Sequence, residues 1–211
     1  MKQTIYTLLR QGIASALVVG VIIMALPIGG NAAEVVTVQT SVQKALTFGV
    51  NSNTANLGNL TPSTPVWAYT ELTVDTNGAS GYNITSQFTT SNCSASDTLC
   101  HSDTTTPITD KTEFDGVGTC TATAAWSGTG LGFTVYTADT GKNTTCWGTG
   151  TAVNDAANLY AGFPTTDQII LNVTSGPKAD DDTAVGYKCD VATTQKSGAY
   201  SGTVQYTATA N

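Results

Sequence analysis

Apolar and polar residues alternate with a period of two in several segments of the chain. Near its end, Val204, Tyr206 and Ala208 fall on one side of an extended backbone, and the Thr and Gln residues between them fall on the other. This alternation is typical of a β-strand with one buried face. Similar or β-branched-rich segments are EVVTVQTSV, KALTFGV, VWAYTELTVDT, YNITSQFTT, TCTATAAW, LGFTVYT, QIILNVTS and AVGYKCDVAT. The pattern predicts about nine or ten strands and no long amphipathic helix after residue 33.

Segments rich in Gly, Asn, Pro and Asp separate the predicted strands. Asn77-Gly78 readily adopts the positive φ angles of a tight turn, so it predicts a hairpin joining ELTVDT to YNITSQFTT. GPKADDD predicts another turn, whose aspartates lack the interleaved spacing of a calcium loop and are expected to be solvated. Short strands with frequent turns predict an all-β fold, an antiparallel β-sandwich of the immunoglobulin-like or pilin-like kind. A long disulfide-containing insertion is expected at about 91–158.

The N-terminal segment predicts a secretion signal. Lys2 and Arg10 accompany an apolar run of 17 residues, somewhat short of the ~20 residues that comfortably span a bilayer. Helix-breaking and small residues near position 33 then supply a cleavage site. We expect a signal helix over residues 1–33 and a single β-sandwich domain over 34–211. The alternative is retention of an uncleaved N-terminal segment as an anchor, which is the expected route to a membrane.

The composition agrees with an exported β protein. The chain carries 8 Lys plus Arg and 15 Asp plus Glu, a net charge of −7. Without Lys2 and Arg10, residues 34–211 hold six basic and fifteen acidic residues, which gives −9. A chain this acidic repels nucleic acid and anionic membrane surfaces. Thr supplies 38 of the 178 residues after position 33, and its β-branched side chain favours strands while its hydroxyl stays solvated.

Five cysteines lie in the part of the chain expected to reach an oxidising compartment, where disulfides persist. The odd number leaves one thiol over, and spacing alone does not choose among the pairings. We favour Cys93 with Cys100, which closes CSASDTLC, and Cys120 with Cys146, which joins the flanks of one long insertion. Cys189 is then either a buried inert thiol in the strand VGYKCDV or the site of a bond to another chain.

Three strings resemble secreted bacterial β-sandwich surface proteins: NLGNLTP, LTVDTNGASGY and GYKCDVATTQKSGAYSGTVQYTATA. In such proteins a Leu-Gly turn follows an early strand, a Thr-Asn…Gly-Tyr hairpin comes next, and a Gly-x-Tyr strand closes the domain. The chain is similar to WxL-like cell-wall proteins and to the pilin-like sandwiches of fimbriae and spore coats. It departs from them in having no Trp-x-Leu motif, a different cysteine spacing from fimbrial subunits, and no Leu-Pro-x-Thr-Gly sorting signal. The resemblance implies a location and an architecture more than an activity.

The residues predict no catalytic, cofactor or metal site. The only histidine, His101, adjoins Cys100, and adjacent side chains rarely form a productive nucleophile–base pair. Cys93, Cys100 and His101 lack a convincing fourth zinc ligand. Trp147 lies in the loop TTCWGTG with few apolar neighbours, which makes it a candidate for contact with a glycan, although most aromatic residues of a β-sandwich are core. A carbohydrate-binding module of the cell surface is therefore the alternative function.

The segment AEVVTVQTSV suits donation to a neighbouring molecule. It is N-terminal, is freed by cleavage of the leader, and contains the candidate assembly residues Val35, Val36, Val38 and Val42. Sheet edges accept such strands because they present unpaired N–H and C=O groups. An ordinary strand within its own domain is the alternative. The sequence thus predicts a non-catalytic secreted cell-surface structural protein, a subunit of a filament or surface layer or an adhesive protein. Its expected partners are other copies of itself or cell-surface components.

Overall fold

The structure, a computed structural model, describes the following residues: 37–90, 93 and 97–211. The predicted signal segment, residues 1–33, and the candidate assembly residues Val35 and Val36 lie outside the described residues. Among the described residues, no helix has both the length and the apolar character that a membrane span requires.

Antiparallel β-structure dominates, as the sequence predicts. The described strands all belong to one compact unit, residues 42–211. The elements are β1 (Leu46–Val50), β2 (Val66–Thr76), β3 (Tyr82–Thr90), β4 (Leu99–His101), β5 (Pro107–Ile108), β6 (Ala124–Ala125), β7 (Gly130–Ala138), α1 (Thr144–Trp147), β8 (Leu159–Tyr160), β9 (Gln168–Val173), β10 (Lys178–Asp190), β11 (Tyr200–Ser201) and β12 (Thr203–Ala210).

The largest sheet has the strand order β1-β2-β10-β7, and every neighbouring pair is antiparallel. The long central strands β2 and β10 pair along most of their length, with Val185 opposite Thr70 and Lys188 opposite Trp67. The central strand β10 is buried on both faces from Thr183 to Tyr187, whereas the side chains of β2 from Thr70 to Thr76 alternate between buried and half-buried. The alternation along β2 is the period-two burial that the sequence pattern predicts.

The aspartates of GPKADDD do not form the predicted solvated turn, because β10 already begins at Lys178. The pairing register with β2 shifts between Lys178 and Asp181, and Asp180 has a φ of 49°. This is the geometry of a β-bulge, which re-aims the neighbouring side chains. Asp181 turns inward, is buried, and accepts a hydrogen bond from the Thr140 hydroxyl. Strand pairing here outweighs the local turn preference of aspartate.

A three-stranded sheet has the order β12-β3-β9, so the predicted hairpin between β2 and β3 is wrong. The Asn77 side chain bonds the segment before β1 instead. Its Oδ1 accepts from the N–H of Ala45 at 2.7 Å, and its Nδ2 donates to the carbonyl of Gln43 at 2.8 Å. The positive φ, 74°, falls at Gly81 and not at Gly78. The turn therefore carries the chain from one sheet to the other.

One hydrophobic core receives side chains from both of these sheets. Its buried members include Leu72, Val74, Ile84, Val135, Ile170, Leu171 and Val185. The hydroxyls of Tyr187 on β10 and Tyr206 on β12 lie 3.0 Å apart and link the two sheets directly. The stretch predicted as an elaboration also supplies buried aromatic rings, Phe133 on β7 and Trp147 on α1. Part of that stretch therefore builds the core.

Candidate functional site

Backbone from the insertion and its flanks covers two of the four edges of these sheets. On the outer side of β7, the N–H of Lys111 donates to the carbonyl of Leu131 at 2.7 Å, and the N–H of Leu131 donates to the carbonyl of Thr109 at 3.0 Å. At β9, the N–H of Val117 donates to the carbonyl of Ile169 at 3.0 Å. These bonds occupy edge groups that would otherwise be open to another chain.

No described strand covers the other two edges, β1 and β12. Within the ranges that the structure describes, β1 pairs only with β2, and β12 pairs only with β3. The two edges lie on the same side of the unit, because Lys44, just before β1, donates through Nζ to the backbone oxygen of Asn211, just after β12, at 2.5 Å. An uncovered strand presents unpaired N–H and C=O groups, so it can template the addition of a further strand.

Apolar side chains on both open edges are only half-buried. Val204 and Tyr206 of β12 pack against the core but remain partly exposed, and Leu46 and Phe48 of β1 do the same. Val185, on the central strand β10, is completely buried. A strand added along this side would complete the cover over these apolar faces.

The segment predicted to donate a strand is exposed where the structure describes it. The side chains of Val38 and Val42 are 88% and 83% exposed. Residues 37–45 belong to no strand, so the predicted strand over 34–42 is wrong for its described part, because no described strand pairs with it. Such high exposure of two valines, Val38 and Val42, is uncommon, because valine is among the residues most often buried.

Two disulfides join the pairs that the sequence favours. Cys93 is bonded to Cys100 with a Cα–Cα distance of 5.5 Å, and Cys120 is bonded to Cys146 with a Cα–Cα distance of 5.0 Å. The first closes the loop that precedes β5, and the second ties the segment after Gly116 to helix α1. Disulfides of this kind are typical of proteins that fold in an oxidising environment.

Cys189 is a free thiol on β10. Its side chain is fully enclosed in the core. Burial is the main cause that raises the pKa of Cys189 to about 12, and the nearby Asp190 carboxylate adds to this increase. The thiol is therefore protonated and unreactive at neutral pH. The alternative of a bond from Cys189 to another chain is wrong for the folded chain, because a partner thiol has no access to the sulfur.

The prediction that Trp147 contacts a ligand is also wrong, because Trp147 is fully buried. Its indole N–H donates to the carbonyl of Ile170 at 2.9 Å, and its ring centroid lies 4.5 Å from that of Phe114 and 5.1 Å from that of Phe133. The local cause is α1, whose N-cap, Asn143, accepts two backbone N–H groups through its side chain. Asparagine before TTCW was the available signal for this single helical turn, which directs Trp147 inward.

Five side chains form a surface group that the residue pattern does not predict and that we call the aromatic–lysine cluster: Trp67, Trp126, Tyr160, Lys111 and Lys188. Lys188 Nζ lies 5.1 Å from the Trp67 ring centroid, 4.8 Å from that of Trp126 and 5.4 Å from that of Tyr160. Lys111 Nζ lies 4.2 Å from the Trp126 centroid. These are cation–π distances. The members come from β2, β8, β10 and the segments that follow β5 and β6, so no short sequence window contains them together.

The two lysines of the cluster differ in their polar contacts. Lys111 Nζ donates to the carbonyls of Ser127 and Thr129 at 2.6 and 2.7 Å. Lys188 Nζ donates to no oxygen within the described part of the chain, and partial burial lowers the pKa of Lys188. A crevice of about 140 Å³ lies beside the Trp126 and Tyr160 rings. The Lys188 ammonium thus contacts aromatic rings, and among the described residues its N–H groups donate to no oxygen.

Both ring nitrogens of His101 are engaged within the protein. Nε2 lies 3.1 Å from the carbonyl oxygen of Ser197, which can only accept, and Nδ1 lies 3.0 Å from the N–H of Asp103, which can only donate. The Asp103 Oδ1 atom also lies 3.1 Å from Nδ1. Cys93 and Cys100 are joined in a disulfide, so neither is a thiolate for catalysis or zinc binding in the oxidised chain. His101 is a structural residue.

The described part of the chain therefore has two surface features that are candidates for binding another molecule. They are the open edges β1 and β12 and the aromatic–lysine cluster. No protein-family model matches the chain, and no curated protein matches its sequence.

Proposed function

We propose that the protein is a non-catalytic structural subunit of an extracellular filament or surface layer. In this proposal each copy adds a strand to an open sheet edge of the next. The observation that carries it is the pair of uncovered edges, β1 and β12, on one side of the unit. The fold is a β-sandwich of the immunoglobulin-like or pilin-like kind, secreted to the cell surface after removal of the leader. Its partners are other copies of itself or cell-surface components.

Length and side-chain chemistry favour β12 as the accepting edge. β12 has eight residues, Thr203–Ala210, whereas β1 has five and contains Gly49. The solvent-facing residues of β12 are Thr and Gln, without the Lys, Pro or inward charge that natural edges use against pairing. A donor over residues 34–42 has nine residues, so it matches the length of β12.

The donor is expected to place one face against the core. In an extended strand, Val36, Val38 and Val42 share a side, and Thr37 and Gln39 take the other. Covering a valine releases about 1.5–3 kcal/mol of hydrophobic free energy. Part of this offsets the entropy lost when the segment becomes ordered. The backbone hydrogen bonds that the donor would form with β12 add to the favourable free energy of binding.

Removing the donor tests the proposal. A chain without residues 34–42 is expected to fold as a monomer and to form no polymers, as judged by sedimentation and by electron microscopy of negatively stained samples. Val38→Asp should reproduce this loss, because it places a charge on the face that enters the core. Gln39→Asp is the matched control on the opposite face and should still polymerise. Normal polymerisation of the deletion variant, or equal behaviour of the two Asp variants, contradicts strand donation.

A further inference from the structure

Two aromatic side chains of β2, Trp67 and Tyr69, stand exposed, and the Trp67 ring lies beside the Lys188 ammonium. Trp67 and Tyr69 are two residues apart on β2, so both point to the same face of the sheet. Trp67 is 37% exposed and Tyr69 is 53% exposed, and the other large exposed apolar residues of the described part are aliphatic. Flat aromatic faces in this arrangement present an apolar surface with polar atoms at its border. The C–H face of a sugar ring packs against such a surface.

Lys188 adds a charge to this platform. It lies opposite Trp67 in the pairing of β2 with β10. Its ammonium has three N–H donors and, among the described residues, no oxygen acceptor. Asp190 acts on the pKa of both Lys111 and Lys188 but forms no ion pair with either within the described ranges. A ligand carboxylate would meet an available donor in a partly dry setting, where a charge-assisted hydrogen bond is strong.

From this juxtaposition we infer that Trp67, Tyr69 and Lys188 form a binding site for an acidic saccharide, that is, a glycan containing uronic acid units. The rings take the apolar face of a sugar, and Lys188 takes its carboxylate. A neutral saccharide would leave the ammonium unpaired. This site does not depend on strand donation.

Titration with matched oligosaccharides tests the site. The full chain is titrated with an oligogalacturonate and with a neutral malto-oligosaccharide of equal length, and binding is followed by tryptophan fluorescence and calorimetry. The acidic oligomer is expected to bind at least about tenfold more tightly. Its affinity should fall as salt rises, because screening weakens the contact between the carboxylate and Lys188.

Two variants locate the contact. Lys188→Met keeps the apolar stem but removes the ammonium, and it should weaken oligogalacturonate binding about tenfold or more. Lys178→Met removes a lysine from the other end of the same strand and should bind like the parent chain. Tyr69→Ala should weaken both oligomers severalfold, and the exposure of Tyr69 makes loss of the fold unexpected.

Three results would overturn the inference: no oligogalacturonate binding by the parent chain, equal binding of the neutral oligomer, or parent-like affinity in both Lys188→Met and Tyr69→Ala. The variant lacking residues 34–42 should retain saccharide binding. A failure of the saccharide site is therefore distinguishable from a failure of strand donation.

Discussion

The two sides of the unit differ in whether described backbone covers their sheet edges. At β7 and β9, backbone from the insertion and its flanks bonds to the edge, and the Cys120–Cys146 disulfide holds part of that cover in place. At β1 and β12, no described strand covers the edge, and the apolar side chains beneath remain half-buried. The same chain can thus close an edge, and it does so on one side. Under the proposed function, the covered side stabilises the fold and the open side accepts the donated strand.

Replacing Trp147 should have the largest effect on stability. Trp147→Ala removes a fully buried ring from the covered side, and such truncations cost about 3–5 kcal/mol in the free energy of unfolding. Urea denaturation measures the loss. Trp67→Ala, which removes a partly exposed tryptophan, is the matched control and should cost clearly less. Equal losses in the free energy of unfolding would mean that the covered side does not contribute more to the stability of the core than the surface does.

Asp110 should make the covered side sensitive to pH. Its Oδ2 accepts from the Thr98 N–H and hydroxyl at 3.1 and 2.6 Å, yet burial raises the pKa of Asp110 to about 7. Between the ordinary value of 3.8 and about 7, the folded chain keeps a proton that the unfolded chain has lost. Stability from this group is therefore complete below pH 4 and falls by about 2–4 kcal/mol as the pH rises to 7.

Unfolding curves measured from pH 4 to pH 8 check this expectation. Asp110→Asn mimics the protonated carboxyl and should flatten the decline. Asp103 acts in a different window, because Lys196 and the N–H groups of Thr105 and Thr106 hold the pKa of Asp103 well below its usual range. Its contribution is present above pH 4 and is lost as the pH falls further. A decline between pH 4 and pH 7 that persists unchanged in Asp110→Asn would rule out Asp110 as its source.

Tyr206 should contribute a smaller amount, on the open side. Tyr206→Phe removes the hydroxyl that lies 3.0 Å from the Tyr187 hydroxyl, and the loss of one such hydrogen bond costs about 0.5–1.5 kcal/mol. Thermal and urea unfolding of the monomer measure the change. Tyr69→Phe is the matched control, because the Tyr69 side chain is exposed. A cost no greater than that of the control would mean that this hydroxyl pair does not join the sheets.

Charges on the open edges should change stability least and assembly most. Thr207→Lys on β12 and Thr47→Lys on β1 both alter exposed threonines, so each should shift the free energy of unfolding by no more than about 0.5 kcal/mol. If β12 accepts the donor, Thr207→Lys should slow polymerisation and Thr47→Lys should not, as measured by light scattering. The reverse result would assign acceptance to β1.

Local pattern was sufficient for most strands but not for their pairing. The period-two segments around Leu72, Ile84, Val185 and Val204 are strands, because alternation reports the burial of one face. The hairpin at Asn77 was wrong because a distant segment, at Gln43 and Ala45, takes its side-chain hydrogen bonds. Turn propensity depends only on neighbouring residues, so it does not predict that a distant segment will bind the Asn77 side chain.

The candidate sites show the same limit. The cysteine pairs followed from the loops that they close. The candidate glycan contact at Trp147 was wrong and the core position usual for aromatic residues of a β-sandwich is the observed one, because a single helical turn within the Gly- and Thr-rich loop directs the ring inward and leaves little trace in composition. The aromatic–lysine cluster was missed because Trp67 and Lys188 meet only when β2 pairs with β10. Contacts between side chains far apart in sequence depend on sheet register, which the residue pattern alone does not specify.

The partner of β12 also constrains the order in which the molecule is completed. Val204 lies opposite Phe88, which precedes it by 116 positions. A chain emerging from a ribosome or a translocation pore must therefore hold β3 without one of its neighbours until β12 has also emerged. Such distant pairing is typical of slow folding, and it leaves a period in which β3 is vulnerable to premature association.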